Sequence, residues 1–170
     1  SKYAQRNLLL RNEGHGRFTE VGRQSGPGFA LEKVSRTVVT GDIDNDGDLD
    51  LLVSNNGQSA DLLRNDTEGL GNALRVKLRG RQSNRDGIGA LVVATVGSRR
   101  LVREVRAGSS YLGQHDVRVH FGLGRASVVD RLDVRWPSGR VDVLKAIASQ
   151  QDVTVAEGAG IVDSHPLNRR

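Results

Sequence analysis

Apolar residues in this chain recur at every second position, in short runs separated by Gly, Asn and Asp. That period belongs to half-buried strands, and no stretch carries the 3.6-residue period of an amphipathic helix. Leu74, Val76 and Leu78 alternate with Arg75, Lys77 and Arg79, which predicts one buried face and one basic face. Residues 128–136 set Leu132, Val134 and Trp136 against Arg131, Asp133 and Arg135, and residues 101–107 and 117–121 alternate in the same way. Residues 91–96 are nearly all apolar and read as a strand covered on both faces. Trp136-Pro137-Ser138-Gly139 reads as a type I turn, with Pro second and Gly fourth. Val141 and Val143 lead out of it, and Val153 and Val155 mark a last strand. Residues 144–149 are expected to form at most one helical turn.

The runs before residue 73 are shorter. Strands are expected at 7–11, 17–21, 36–40, 51–54 and 61–64, with residues 22–34 as a linking loop. Asn12-Glu13-Gly14-His15-Gly16 and Asn56-Gly57 read as turns. Leu9-Leu10-Arg11-Asn12-Glu13 is echoed 53 residues on by Leu62-Leu63-Arg64-Asn65-Asp66, a spacing that suits one four-stranded propeller blade per repeat. The glycine-rich stretch 67–72 reads as a boundary. The expected organisation is therefore all-β. Residues 1–72 form one or more partial β-propeller blades, residues 73–158 a β-sandwich or barrel-like domain, and residues 159–170 a flexible tail.

Charge sharpens that division. Residues 1–72 hold 8 Lys/Arg against 11 Asp/Glu, a net of −3, and residues 73–170 hold 17 against 9, a net of +8. The absence of cysteine excludes disulfides and thiolate metal sites. No apolar run reaches the roughly 18–20 residues of a membrane span. The chain starts at Ser1 and lacks methionine, so it is expected to be a piece of a longer polypeptide, and the lack of a visible signal peptide says little.

Against the net charge of +5 stands the stretch GDIDNDGDLDLLVSN, with Asp42, Asp44, Asp46, Asp48 and Asp50 at every second position. Carboxylates at positions 1, 3 and 5 of a curling loop converge on one point. Gly47 at position 6 supplies the sharp turn, Asp48 at position 7 a backbone carbonyl, and Asp50 at position 9 closes the site. This is the chemistry of a calcium loop, a hard cation held by oxygens alone. It is not an EF-hand, because position 12 is Val53 in an apolar strand run. Magnesium, which demands a stricter octahedral geometry, fits a flexible turn less well.

The loop and its strand context resemble the calcium-binding FG-GAP or VCBS repeat of integrin-type β-propellers, as does NEGHGRFTEV at residues 12–21. The second unit resembles the ASPIC/UnbV domain through LRVKLRG (74–80), SNRDGIGA (83–90), REVRAGSSYLGQHD (103–116), VHFGLG (119–124) and VDRLDVRWPSG (129–139). Together they are similar to the C-terminal part of a bacterial cartilage acidic protein-like polypeptide. Ala73 departs from the bulky aromatic or His that this family often carries there. The resemblance implies calcium in the loop, an extracellular or periplasmic location, and an adhesion or scaffolding role. A propeller needs about seven blades, and this chain holds one to two.

No enzyme is expected. Ser109, Ser110, His115 and Asp116 are sequence neighbours on a loop, an arrangement that rarely orients a nucleophile and base in space. The glycine-rich runs 86–90 and 121–124 read as turns or bulges, because neither opens a helix after a strand. The four histidines have no metal-ligand spacing. The expected function is a non-catalytic, calcium-binding secreted module for adhesion or protein interaction, with a protein or glycan ligand. One alternative is a carbohydrate-binding accessory region of a larger extracellular enzyme. A weaker one is nucleic-acid or polyanion binding by the basic face of Arg75, Lys77, Arg79, Arg81, Arg85, Arg99, Arg100, Arg103 and Arg106. The basic unit is also a candidate to dock on the acidic propeller.

Overall fold

The computed structural model describes residues 3–168, and among them there is no α-helix. The first unit contains the bridge-like pair β1 (Gln5–Arg6) and β4 (Glu32–Lys33) and the hairpin β2 (Leu10–Gly14) and β3 (Arg17–Glu20). It also contains the three-stranded antiparallel sheet β5 (Ser35–Gly41), β6 (Asp50–Asn55) and β7 (Gln58–Leu63). The expected linking loop 22–34 is more ordered than a plain connection. It holds two short 3₁₀ turns, Gly22–Gln24 and Pro27–Ala30, before β4. Strand β3 falls where it is expected, but β2 is shifted from 7–11 to Leu10–Gly14, because the turn closes at His15-Gly16, where both residues take positive φ.

The second unit is a sandwich of two four-stranded sheets. Its strands are β8 (Asn72–Arg79), β9 (Leu91–Val96), β10 (Arg99–Glu104), β11 (Val119–Gly124), β12 (Val128–Arg135), β13 (Val141–Ala148), β14 (Gln151–Ala156) and β15 (Gly160–Pro166). One sheet runs β10-β9-β12-β13 and the other β11-β8-β14-β15. Period 2 does the sorting. Leu74, Val76, Leu78, Phe121, Val153 and Val155 point inward from one sheet, and Val92, Ala94, Leu132 and Val134 from the other, as a single core. Trp136 belongs to that core and gives its indole N–H to Asp142 Oδ2 at 2.9 Å.

Two expectations are corrected here. Residues 144–149 form no helical turn, because β13 continues to Ala148 along β12 and brings Ile147 against Val129. Residues 160–166 of the expected tail are not frayed. They form β15, paired with β14 from Gln151↔Pro166 to Ala156↔Gly160 with a register shift between Thr154 and Val155, because the edge of β14 offers them hydrogen-bond partners. Residues 169–170 of that tail lie outside the described residues.

One buried carboxylate fastens the sandwich end. Glu157 accepts the consecutive backbone N–H groups of Arg81, Gln82 and Ser83 at 2.7–2.8 Å, and the hydroxyls of Ser83 and Ser138. Burial works against its ionised form, but these donors prevail and bring its pKa down to about 2. A carboxyl whose folded value lies below its unfolded value stabilises the fold above the unfolded pKa, and that contribution is lost as pH falls from about 4.5 to about 2. Glu157→Gln is therefore expected to lower the Tm at pH 7 and to shrink the loss of Tm between pH 5 and pH 3. Calorimetry across that pH range tests this, and an unchanged acid limb would contradict the assignment.

Candidate metal centre

The aspartate loop spans residues 42–49 and joins β5 to β6 across an antiparallel pair that closes at Gly41↔Asp50. The loop is shaped by its own carboxylates. Asp42 accepts the N–H of Asp46 at 3.1 Å on Oδ1 and that of Gly47 at 2.8 Å on Oδ2. Asp50 accepts Ile43 N at 2.8 Å and, from beyond β7, Asn65 N at 2.8 Å. Asp46 accepts Asp48 N at 2.9 Å. Asn45 (φ 61) and Gly47 (φ 97) take the left-handed conformation that lets the chain curl around these acceptors.

The curl gathers Asp42, Asp44 and Asp50, each offering one oxygen, with all three oxygens within 4.8 Å of one another. Two oxygens on opposite sides of one Ca²⁺ lie about 4.6–5.2 Å apart, twice a Ca–O distance of about 2.3–2.6 Å. The donor set therefore fits a hard cation in both chemistry and spacing. Asp42 and Asp50 are buried, and Oδ1 of Asp44 is turned out of solvent. Asp46 and Asp48 line an adjoining open cleft with Asn65, Asp66 and Glu68.

The second unit covers the other side of the loop. Register places His120, Arg75 and Asp152 in one cross-strand row over β11, β8 and β14, on the face away from the core. Arg75, expected on an exposed basic face, is buried by this contact. It donates to Asp42 Oδ2 at 2.6 Å, to Asn45 Oδ1 at 3.0 Å and to Asp152 Oδ2 at 2.7 Å. Burial pushes the Asp42 carboxyl up, and the Arg75 charge pulls it back down. His120 Nε2 lies 2.7 Å from the Gly47 carbonyl, so this nitrogen carries the proton. Asn168 donates to the Asn45 carbonyl at 2.7 Å.

A second contact falls beside the first. The loop after β10 brings Asp116 N to Thr40 O at 3.0 Å and His115 Nδ1 to Thr40 N at 2.9 Å. Its Gly113 sits so close to β5 that a Cβ there would meet Val39 and Thr37 below 3.0 Å. His115 and Asp116 are thereby occupied separately. Ser109 Oγ meets the backbone N–H of His115 at 3.4 Å, and Asp116 pairs with Arg118 at 2.5 Å, so the four residues form no Ser-His-Asp relay. Among the second unit's aromatics, Phe121 and Trp136 are core and Tyr111 is exposed.

Comparison with known proteins matches two parts of the chain to two families. Residues 2–53 match the FG-GAP-like repeat, and residues 80–162 match the family described as ASPIC and UnbV. The chain is an FG-GAP-like repeat followed by an ASPIC and UnbV domain. It is 34% identical over 165 residues to Cartilage acidic protein 1 of Mus musculus, covering 89% of this chain and 25% of that protein. To Cartilage acidic protein 1 of Homo sapiens it is 33% identical over the same length and shares. The chain thus spans a quarter of the length of these relatives. No helix among its described residues is long and apolar enough to cross a membrane.

The FG-GAP-like repeat therefore supplies the carboxylates, and β8 of the sandwich supplies the cation that faces them. Of the five aspartates singled out by their spacing, Asp42, Asp44 and Asp50 come together. Arg75, Asp152, His120 and Asn65 were not legible as parts of the site, because their partners lie across a domain boundary or beyond a strand. Gly47 is the tight point of the aspartate loop, since a Cβ there would lie 2.8 Å from Leu167 Cδ1. Gly47→Ala is expected to cost about 1–2 kcal/mol, from left-handed strain plus displacement of Leu167. Gly57→Ala (φ 65, nothing within 4 Å) bears the strain alone and loses less. Urea unfolding of both variants measures the difference, and equal losses would remove the packing contribution.

Proposed function

We propose that this chain is a non-catalytic extracellular module in which a calcium ion at Asp42, Asp44 and Asp50 pins an adhesion or scaffolding surface. The observation that carries the reading is the convergence of those three carboxylate oxygens within 4.8 Å, between two paired strands of an FG-GAP-like repeat. The ion neutralises the loop and ties β5 and β6 together, while Asp50 reaches past β7 through Asn65. Asp48 is assigned a carbonyl ligand, and Asp46 an outer position beside the ion. A secreted location fits relatives named for cartilage. The partner is a protein or glycan outside the cell.

Calcium binding to the folded state alone stabilises it by about 2.7 kcal/mol at a hundredfold excess over Kd, or roughly 5–10 °C in Tm for a chain of this size. Thermal melts with calcium, with magnesium and with a chelator are expected to show that gain for calcium and a smaller one for magnesium. Asp44→Ala is expected to abolish it. A Tm that ignores calcium, chelator and Asp44→Ala alike would sink the metal reading.

A further inference from the structure

We propose that Arg75 is a built-in competitor of the cation at the aspartate loop, so that ion binding and Arg75 docking oppose one another through Asp42. The proposal rests on the calcium reading above and assigns a second-domain residue to tune it. Arg75 reaches the loop from β8 of the sandwich, with its side chain 4% exposed, and its partner Asp42 is at 0%. It donates to Asp42, which is one of the three convergent carboxylates. A dication bound there stands one carboxylate away from the guanidinium, in an interface where water screens little. The two positive charges then repel, and each weakens the other's hold on Asp42.

The guanidinium also has somewhere to go. Its second terminal nitrogen already lies 2.7 Å from Asp152 Oδ2, an oxygen shared with Arg118 at 3.1 Å. Its Nε–H is buried and meets no acceptor among the described residues, so the group is held at its tips and can re-aim. Two arrangements follow. Without the ion, Arg75 bridges Asp42 and Asp152. With the ion, Arg75 falls back on Asp152, and the domain contact loses its central ion pair. Such coupling is reciprocal: whatever Arg75 subtracts from ion affinity, the ion subtracts from the docking of Arg75.

Isothermal titration of calcium into the chain and three variants tests this. Arg75→Met keeps the stem and removes the charge, and it is expected to bind calcium about tenfold more tightly. Asp152→Asn leaves Arg75 with Asp42 as its one carboxylate and is expected to bind about fivefold more weakly. Lys77→Met removes an exposed charge two residues along the same strand and is expected to stay within about twofold of the parent. A merely structural role for the row would move the Arg75 and Asp152 variants in the same direction. Unchanged or weaker binding by Arg75→Met, tighter binding by Asp152→Asn, or equal tightening by Lys77→Met overturns the proposal. If Arg75→Met folds only with calcium, as read by circular dichroism, competition is supported in its limiting form. If it folds under neither condition, the direction of the Asp152→Asn change decides. If no protein binds calcium, the metal reading itself fails; if the parent binds and the variants do not split, the competitor role alone fails.

Discussion

The Asp42–Arg75 ion pair is the interaction on which the arrangement of this molecule depends. Asp42 sits at the start of a loop crowded with carboxylates, and its side chain is fully out of water. A carboxylate in that position must be matched by donors or a cation, or it would not stay ionised. Backbone N–H groups of Asp46 and Gly47 give part of the match, and Arg75 gives the opposite charge. Removing one partner of such a buried pair costs about 3–5 kcal/mol, a sizeable share of the roughly 5–15 kcal/mol that holds a typical domain. The pair also has a direction. It joins residue 42 of one unit to residue 75 of the other and so fixes how the two units meet.

The charge asymmetry between the units takes on a local meaning. The basic unit spends much of its Arg content on neighbours two residues away on the same face. These include Arg106–Glu104, Arg118–Asp116, Arg131–Asp133 and Arg140–Asp142. Arg106–Glu104 is exposed and contributes little to stability, whereas the carboxylates of the other three are partly or largely buried. Of the basic face read from the sequence, these pairs engage Arg106, whereas Arg75 is buried against the aspartate loop. Arg103 turns to the Phe121 ring at 5.8 Å and to backbone carbonyls, so it too is engaged.

Much of the fold was legible in the sequence because period 2 is a local signal. Leu74, Val76 and Leu78 are buried as alternation requires, and β9 spans the predicted residues 91–96. The aspartate loop was legible for the same reason, since its spacing, its Gly47 and its flanking strands are neighbours in the chain. The failures were non-local. Residues 160–166 looked like a tail because nothing in them announces that β14 has an open edge. Residues 144–149 carry Leu, Lys, Ala and Ile in an order that suits one helical turn, and only the partner strand β12 decides otherwise. Arg75 was placed on the correct face of its strand. Its burial came from Asp152, 77 residues later, and Asp42, 33 residues earlier.

The distribution of the core explains why so polar a loop carries so much. The contiguous apolar core lies wholly within the second unit, from Leu74 to Val155. In the described part of the first 72 residues, Phe29 and Val53 are the buried large apolar side chains, while Leu10, Phe18, Val38, Leu52 and Leu62 are exposed. A unit that buries so little apolar surface cannot offset its chain entropy by packing alone. Its order must come from elsewhere, and the contacts available are those at the loop and along β5. Asp50 ties the start of β6 to the segment after β7, Asp42 ties the loop to Arg75, Leu167 covers Gly47, and Thr40 is held by His115 and Asp116. An ion at the loop would act on the least self-sufficient part of the chain, where a modest binding energy has the greatest effect on which conformations survive.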